Sequence, residues 1–487
     1  MTLSMDNVTH SLIGVALGHV VLKAFERGKP PGQEKTSTGE SEQSFVRSPR
    51  FRALVLWTSI LSNNAPDSDV VFPWVMKTLH LGGNDPRINQ LLQHRGFTHT
   101  VAAAPILGLI SLGLAWVLSG GSRKIENQDP SVTTFSQQLS KNKLWLKLWS
   151  LGMLGVLCHL GADFWNDYGI HPFWPLSNHW FYGDFIFIIE PLIWFSILPL
   201  AFFESKRRSL QGFVLFLFFL MIGLIFFGPY SSWFGRNGIT VGVLGWAAFA
   251  WFWQWRVSRS RASASVEPTS KFASFVPAVG LLSLVLLMFF VCSQTVGKGL
   301  SELIAKEVPA ERIVQLARSP APANPFCWRV LVATVGPGDR YTVRLASVSL
   351  LPEWVDATHC LEGTDRGHAA PLEKVTLPSA APSAQGLTIS WHGEFSRPFH
   401  ELVKTSDDFC RFEALRQFAR APFWAFSDGE WIGGDLRYDR QPGKGFATLA
   451  LGTPGDKSHC PQNLPGWDPP IPNPEPPPSL DTSNSQK

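Results

Sequence analysis

At 487 residues the chain has room for two or three domains. Charged residues make up 16% and aromatic residues 13%, with 20 Trp and 36 Phe, while mean hydropathy stays near zero; this points to a membrane protein whose apolar portion is averaged with a polar one. A net charge of +4, scattered along the chain, is too small to argue for nucleic acid, so none is expected among its partners.

No Lys or Arg precedes the first apolar run and no small-residue cleavage site follows it, so a cleaved signal peptide is not expected. Asp6-Asn7-Val8-Thr9-His10 leads into the apolar run Ser11 to Phe25, which is short against the roughly 20 residues a span requires. A polar insert, Arg27 to Arg52, reads as a flexible loop. Ala53 to Asn63 is a second short run, ending at Pro66-Asp67-Ser68-Asp69, and both short runs suit helices packed inside the bundle rather than lipid-facing spans. His94-Arg95-Gly96-Phe97-Thr98-His99-Thr100 comes next, with Gly96 interrupting any helix and Thr98 placed to cap one starting at His99. Val101 to Ser119 is long enough to cross, and a polar loop from Gly120 to Lys143 precedes Leu144 to Gly161. The segment Asp163 to Asp184 is aromatic, polar and Pro-interrupted, suited to a membrane-interface loop. Phe185 to Phe203, Leu210 to Phe227, Ile239 to Trp255 and Phe272 to Cys292 complete about eight apolar helices.

Lys and Arg are distributed unevenly between alternate loops. One set holds the basic residues of Arg27 to Arg52, Arg123 to Lys143, Lys206 to Arg208 and Arg256 to Lys271; the other holds Lys77, Arg87, Arg95 and Arg236. The positive-inside rule puts the first set in the cytoplasm and both termini outside. His10, Asp67, Asp69, His94, His99, His159 and Asp163 then all fall at outward helix ends, although topology was read from Lys and Arg alone.

After Cys292 the composition changes. Asn324 to Leu351 alternates around a Gly336-Pro337-Gly338-Asp339 turn and reads as a β-hairpin. Strand-like pieces recur at Leu387 to Trp391 and Glu430 to Tyr438, with a helix-like Phe409 to Ala419 between them. The expected fold is therefore mainly α: a polytopic helical bundle with a small C-terminal α+β soluble domain. Its divisions are a helical core at 1–203, further transmembrane helices at 204–295, a periplasmic domain at 296–460 and a Pro-rich disordered tail at 461–487. Cys327, Cys360, Cys410 and Cys460 allow up to two disulfides in an oxidising compartment, with three pairings open. Cys158 and Cys292 sit in spans as inert packing.

His159 and Asp163, at i and i+4, share one helix face and can reach one metal. Asp6 and His10 share that spacing, with Asp6 as ligand or as the carboxylate that orients His10. Asp67 and Asp69 follow Pro66 in a turn where their oxygens could bridge two ions. His and carboxylate ligands without Cys suit a divalent ion, Zn²⁺ foremost with Mn²⁺ or Mg²⁺ as alternatives. Arg95 is either an anion clamp or the partner of Asp67 or Asp69 in a salt bridge. Asp67, Asp69 and Asp184 are the candidate proton relays.

In this order, Asp6 to His10, Pro66 to Asp69, His94 to His99 and His159-Leu160-Gly161-Ala162-Asp163 resemble bacterial inner-membrane metal-dependent hydrolases, also described as LexA-binding. The resemblance covers about residues 5 to 203. Asn324-Pro325-Phe326, Ala421-Pro422-Phe423-Trp424 and Gly434-Asp435-Leu436-Arg437-Tyr438 resemble, more weakly, the outer domain of longer members. Thr100 stands where Ser is usual and Glu190 where Asp tends to precede Pro191. The ligand order is also similar to that of zinc-dependent phospholipase C, which implies a phosphoester. The expected function is a metal-dependent hydrolase at the periplasmic face, acting on a lipid-linked or small anionic substrate within reach of membrane lipid. The alternatives are a metal-binding protein without catalysis and a docking site for a regulator, the protein partner being left open.

Overall fold

The computed structural model describes residues 6–26, 45–71, 86–120, 136, 139–140, 143–205, 207–227, 239–263, 275–360, 369–377, 386–439, 445–457, 460–461 and 464–473. Most of the polar insert, much of the 120–143 loop and the tail beyond residue 473 lie outside them.

Helix α1 (Asp6–Glu26) packs on α2 (Pro49–Ser62), and α2 packs on both α4 (Ala104–Leu118) and α5 (Leu144–Phe164). Local sequence sets these starts. Pro49 and Pro191 occupy first turns that need no backbone N–H, behind the side-chain caps Ser48 and Glu190. Between them, α3 (Pro86–Gln93) leads into the loop at 94–100. Thr100, rather than Thr98, caps the next turn: its hydroxyl accepts from Ala103 N at 3.0 Å. Thr98 is engaged with Asp69 instead.

The helices approach through glycine. A Cβ on Gly152 would lie 2.6 Å from Gly108 O, one on Gly108 would lie 2.7 Å from Met153 N, and one on Gly155 would strike the Ser62 side chain. Ser59 donates to Gly14 O at 2.8 Å across the α1–α2 contact. Small residues and a hydroxyl are the expected adhesive where lipid offers no hydrophobic drive between helices.

Five of the described helices are long and apolar enough to cross a membrane, which does not confirm the expected count of about eight apolar helices. They are α1, α4 with its preceding turn, α5, α7 (Arg208–Phe227) and α9 (Val276–Glu307). Both α2 and α6 (Pro191–Glu204) have 14 residues, about 21 Å against a core of about 30 Å. The run expected from Phe185 is helical only from Pro191, and α6 is buried almost throughout. The last third of α8 (Ile239–Ser263) carries Arg256, Arg259 and Arg261.

Helix α9 has 32 residues, about 48 Å, and outruns the bilayer. Its far end buries Leu300 and Ile304 against Trp328, Val330 and Val332 of the C-terminal domain. There β1 (Arg312–Ala321), β2 (Asn324–Gly336), β3 (Arg340–Ser349) and β4 (Thr388–Pro398) form an antiparallel sheet in chain order. Helices α10 (Phe399–Asp408) and α11 (Cys410–Arg416) lead to a second sheet of β5 (Pro422–Ser427), β6 (Glu430–Asp435) and β7 (Thr448–Gly452). The hairpin expected at Asn324 to Leu351 is β2–β3, whereas β1, β5 and β7 were not expected. Disulfides join Cys327 to Cys360 and Cys410 to Cys460, and Cys158 and Cys292 are free thiols.

The tail is not disordered from 461 onward. Trp467 and Ile471 are buried, Trp467 Nε1 donates to Leu92 O at 2.7 Å, and Gln315 donates to Pro470 O at 2.7 Å. Two apolar anchors and acceptor carbonyls let this Pro-rich strand pack as a strap across the bundle and the domain. The same junction holds Arg420 on both oxygens of Asp184, at 2.7 and 2.8 Å, and Trp180 Nε1 on Gln417 O at 2.6 Å.

Candidate metal centre

Four elements converge at one end of the bundle: the start of α1, the turn after α2, the loop before α4 and the last turn of α5. The turn after α2 is a 3-10 helix, Pro66–Val71, which presents Asp67 and Asp69 side by side. One turn of α5 aligns His159 with Asp163, as their spacing requires.

Atoms of Asp67, His99, His159 and Asp163 lie within 4.8 Å of one another, all four residues buried. His99 Nε2 is 3.0 Å from His159 Nε2, 3.0 Å from Asp163 Oδ2 and 3.4 Å from Asp67 Oδ1. His159 Nε2 is 3.2 Å from Asp163 Oδ2 and 3.5 Å from Asp67 Oδ1. A tetrahedral ion with bonds of 2.0–2.2 Å spaces its ligands about 3.3–3.6 Å apart. The observed separations fall close to that polyhedron.

The hydrogen bonds behind the rings fix which nitrogen faces inward. His159 Nδ1 is 2.7 Å from Asn63 O, a carbonyl that can only accept, so that nitrogen carries the proton. His99 Nδ1 is 3.3 Å from Asp69 Oδ2, itself already taking the Thr98 hydroxyl proton at 3.1 Å. In their neutral forms both rings therefore aim bare Nε2 lone pairs at each other and at two carboxylates. Only a cation or added protons reconcile those groups, and an outer acceptor on each imidazole is the usual support of a metal-binding His.

A second group, Asp67, Asp69 and His94, shares Asp67 with the first. His94 Nδ1 is 3.0 Å from Asp69 Oδ1, and its side chain keeps 17% exposure, against 0% for His99. This is the side on which the cluster meets solvent.

Arg95 makes a salt bridge, but with Asp163 rather than Asp67 or Asp69: Nη2 is 2.9 Å from Asp163 Oδ1 and Nη1 donates to Asn166 Oδ1 at 2.8 Å. Its backbone N–H donates to Asp69 Oδ2 at 2.9 Å, and the residue takes φ +62°. One left-handed residue thus ties both carboxylates to the loop, leaving the guanidinium buried beside Asp163 and over Tyr168. His10 does not join the four converging atoms; its ring stacks on His159 at 3.8 Å and its Nε2 is 3.3 Å from Asp163 Oδ1. Asp184 is elsewhere, held by Arg420.

Three buried carboxylates here face one guanidinium, a deficit of two positive charges. Burial alone would raise Asp67, but bonds to His159 and His99 and the charge of His159 hold it well below the usual carboxylate range. Asp69 is likewise lowered: burial opposes, and the charge of His99 with the hydrogen bond of His94 prevails. For His99, burial is overcome by the Asp69 charge and by bonds to Asp163, Asp67 and Asp69, which raise it well above the imidazole range. A divalent ion would supply the same two charges.

The Asn63 carbonyl gave no signal in the sequence, because any residue there presents the same backbone oxygen. Asn166 and Tyr168 were visible only as members of an aromatic loop. His171 lies between Trp467 and Trp180, at 3.7 and 3.8 Å, and burial pushes it down to about 3.

Residues 5–234 match the family model described as YdjM inner membrane protein. The chain is similar to YfhP of Bacillus subtilis, described as uncharacterized, with 26% identity over 194 residues, covering 40% of this chain and 44% of YfhP. It thus spans less than half the length of that relative. No solved structure matches. The matched region contains every residue of the cluster and the first four of the five long apolar helices, and over it the chain is similar to the YdjM inner membrane protein family.

Proposed function

We propose that this membrane protein is a metal-dependent hydrolase with its site at the periplasmic face, cleaving a phosphoester or ester of a lipid-linked or small anionic substrate. The observation that carries the metal is the pair of Nε2 atoms 3.0 Å apart between two carboxylates. Zn²⁺ suits the donors best, with Mn²⁺ or Mg²⁺ as alternatives. A bound divalent ion would supply Lewis-acid polarisation and a nucleophile at neutral pH. Asp67 and Asp69 hold the centre together, Arg95 fixes Asp163, and His94 is the ligand nearest incoming substrate.

The periplasmic placement rests on the Lys and Arg asymmetry and is supported by two disulfides in the domain on the site's side of the bundle. One observation favours a second reading, metal binding without catalysis. The first group supplies four protein ligands and is sealed, as in structural sites, whereas catalytic sites keep a position open. The second group, with three ligands and a partly exposed His94, keeps such a position.

The test is metal content together with hydrolysis of a chromogenic phosphodiester by detergent-purified protein. Wild type should hold one or two equivalents of metal and turn over; His159→Ala should lose the metal and the activity while still inserting. Metal without turnover on phosphodiester or ester probes leaves the second reading, and a metal-free wild type after growth in zinc-supplemented medium defeats both.

A further inference from the structure

The height of the C-terminal domain over the bundle is fixed by three contacts. Ser293 of α9 donates to Asp184 O at 2.7 Å, Arg318 of β1 donates to Ser293 O at 2.7 Å, and Ala323 N, in the β1–β2 turn, donates to Glu190 Oε2 at 3.0 Å. That turn therefore sits beside the start of α6 and the end of the apolar stretch of α9. Strand β2 rises from this level and β3 returns to it, Ser349 pairing with Cys327 and Leu350 N donating to Phe326 O at 2.9 Å.

The chain emerges there as a tight turn in which Trp354 N and Val355 N both bond to Leu351 O, at 3.0 and 2.8 Å. Val355 is buried against the Cys327–Cys360 disulfide. The turn is thus anchored, yet it exposes 39% of Leu351 and 82% of Trp354. Another tip stands at a comparable level on the bundle: Pro172 O accepts from Val101 N, the first residue of a long apolar span, at 2.9 Å. It exposes 51% of Phe173 and 92% of Leu176.

We infer that the C-terminal domain lies on the bilayer, with Leu351 and Trp354 set into the interfacial lipid layer alongside Phe173 and Leu176. Rigidly presented apolar side chains are unfavourable in water. Trp at the junction of spans and polar domain suits the headgroup zone, where its ring is buried and its N–H stays wet. Exposed apolar side chains on the adjoining spans, Phe290 and Val291 beside Ser293 and Val101 beside Pro172, mark lipid at this level, so the occupant is lipid. The inference holds whether or not the cluster binds metal.

A photoreactive benzoylphenylalanine placed at 354, at 176 or at 339 tests it in nanodiscs of phosphatidylethanolamine and phosphatidylglycerol. Position 339 lies in the exposed turn at the opposite end of β2 and β3. Illumination should give lipid adducts, read by mass spectrometry, at 354 and 176 and none at 339. Adducts at 176 alone would mean that the domain stands off the membrane, and protein cross-links at 354 would mean that a second copy covers the lip. Either overturns the inference. Intact Cys327–Cys360 and Cys410–Cys460 linkages in each variant verify its fold.

Discussion

Arg95 shows how one side chain serves a cluster without being a ligand. Its fork reaches Asp163 and Asn166 at once, a geometry that a lysine ammonium cannot reproduce. Arg95→Ala leaves Asp163 buried without its cation, a loss of about 3–5 kcal/mol, and Arg95→Lys should recover only part of it in denaturant titrations in mild detergent. Glu190 gives a pH signature instead. Burial pushes its carboxyl up to about 8, against backbone N–H bonds from Leu192 and Ala323 that lower it. A folded value above the unfolded 4.5 means its contribution is fully present below pH 4.5 and is lost as pH rises through 8. Unfolding midpoints in mild detergent should therefore fall as pH rises from about 5 to about 8, and Glu190→Gln should flatten that fall.

Glycines decide how closely the helices pack. Gly152→Ala puts a methyl group 2.6 Å from the Gly108 carbonyl, whereas Gly113→Ala in the same helix pair meets nothing within 4 Å. The first substitution should destabilise by about 1–3 kcal/mol and the second should be neutral or mildly stabilising, read side by side as detergent unfolding midpoints. At this scale the sequence was legible where one periodicity ran long enough. The β2–β3 hairpin and the long apolar helices are where alternation and apolar length put them. Helix α6 misled because apolar content resembles a span when the partner is other helices rather than lipid, whereas α2, read as a short run able to pack inside the bundle, does so. Strand β1 was missed because Arg312, Gln315, Arg318 and Pro320 mask its alternation, their partners being distant in sequence. His159 and Asp163 were legible by spacing, whereas the destination of Arg95 was not: an anion, or Asp67 or Asp69, was expected, and the folded loop delivers it to Asp163.

The molecule as a whole places its buried cluster and its disulfide-bearing domain at the same end. If the Lys and Arg asymmetry reports topology correctly, alkaline phosphatase fused after Glu307 is active and fused after Arg261 is silent. The reverse pattern would put the cluster in the cytoplasm and favour a regulator-docking role. Asp184 and Arg420 belong to this scale: their paired oxygens and nitrogens join loop to domain, which is why a carboxylate suspected of chemistry turns out to be a tether.

The strap around Trp467 sets an order of events. Its indole closes on the carbonyl of Leu92, 375 residues earlier, and stacks on His171 beside the loop that bears His94 and His99. Contacts of such separation form late, because the intervening chain must be made and positioned first. The apolar helices can insert as they emerge, but the loop gains its last neighbour only after the ribosome has passed residue 467 and the stretch behind Cys460 has been drawn in. Whatever ligand that loop serves meets its finished form at the end of biogenesis.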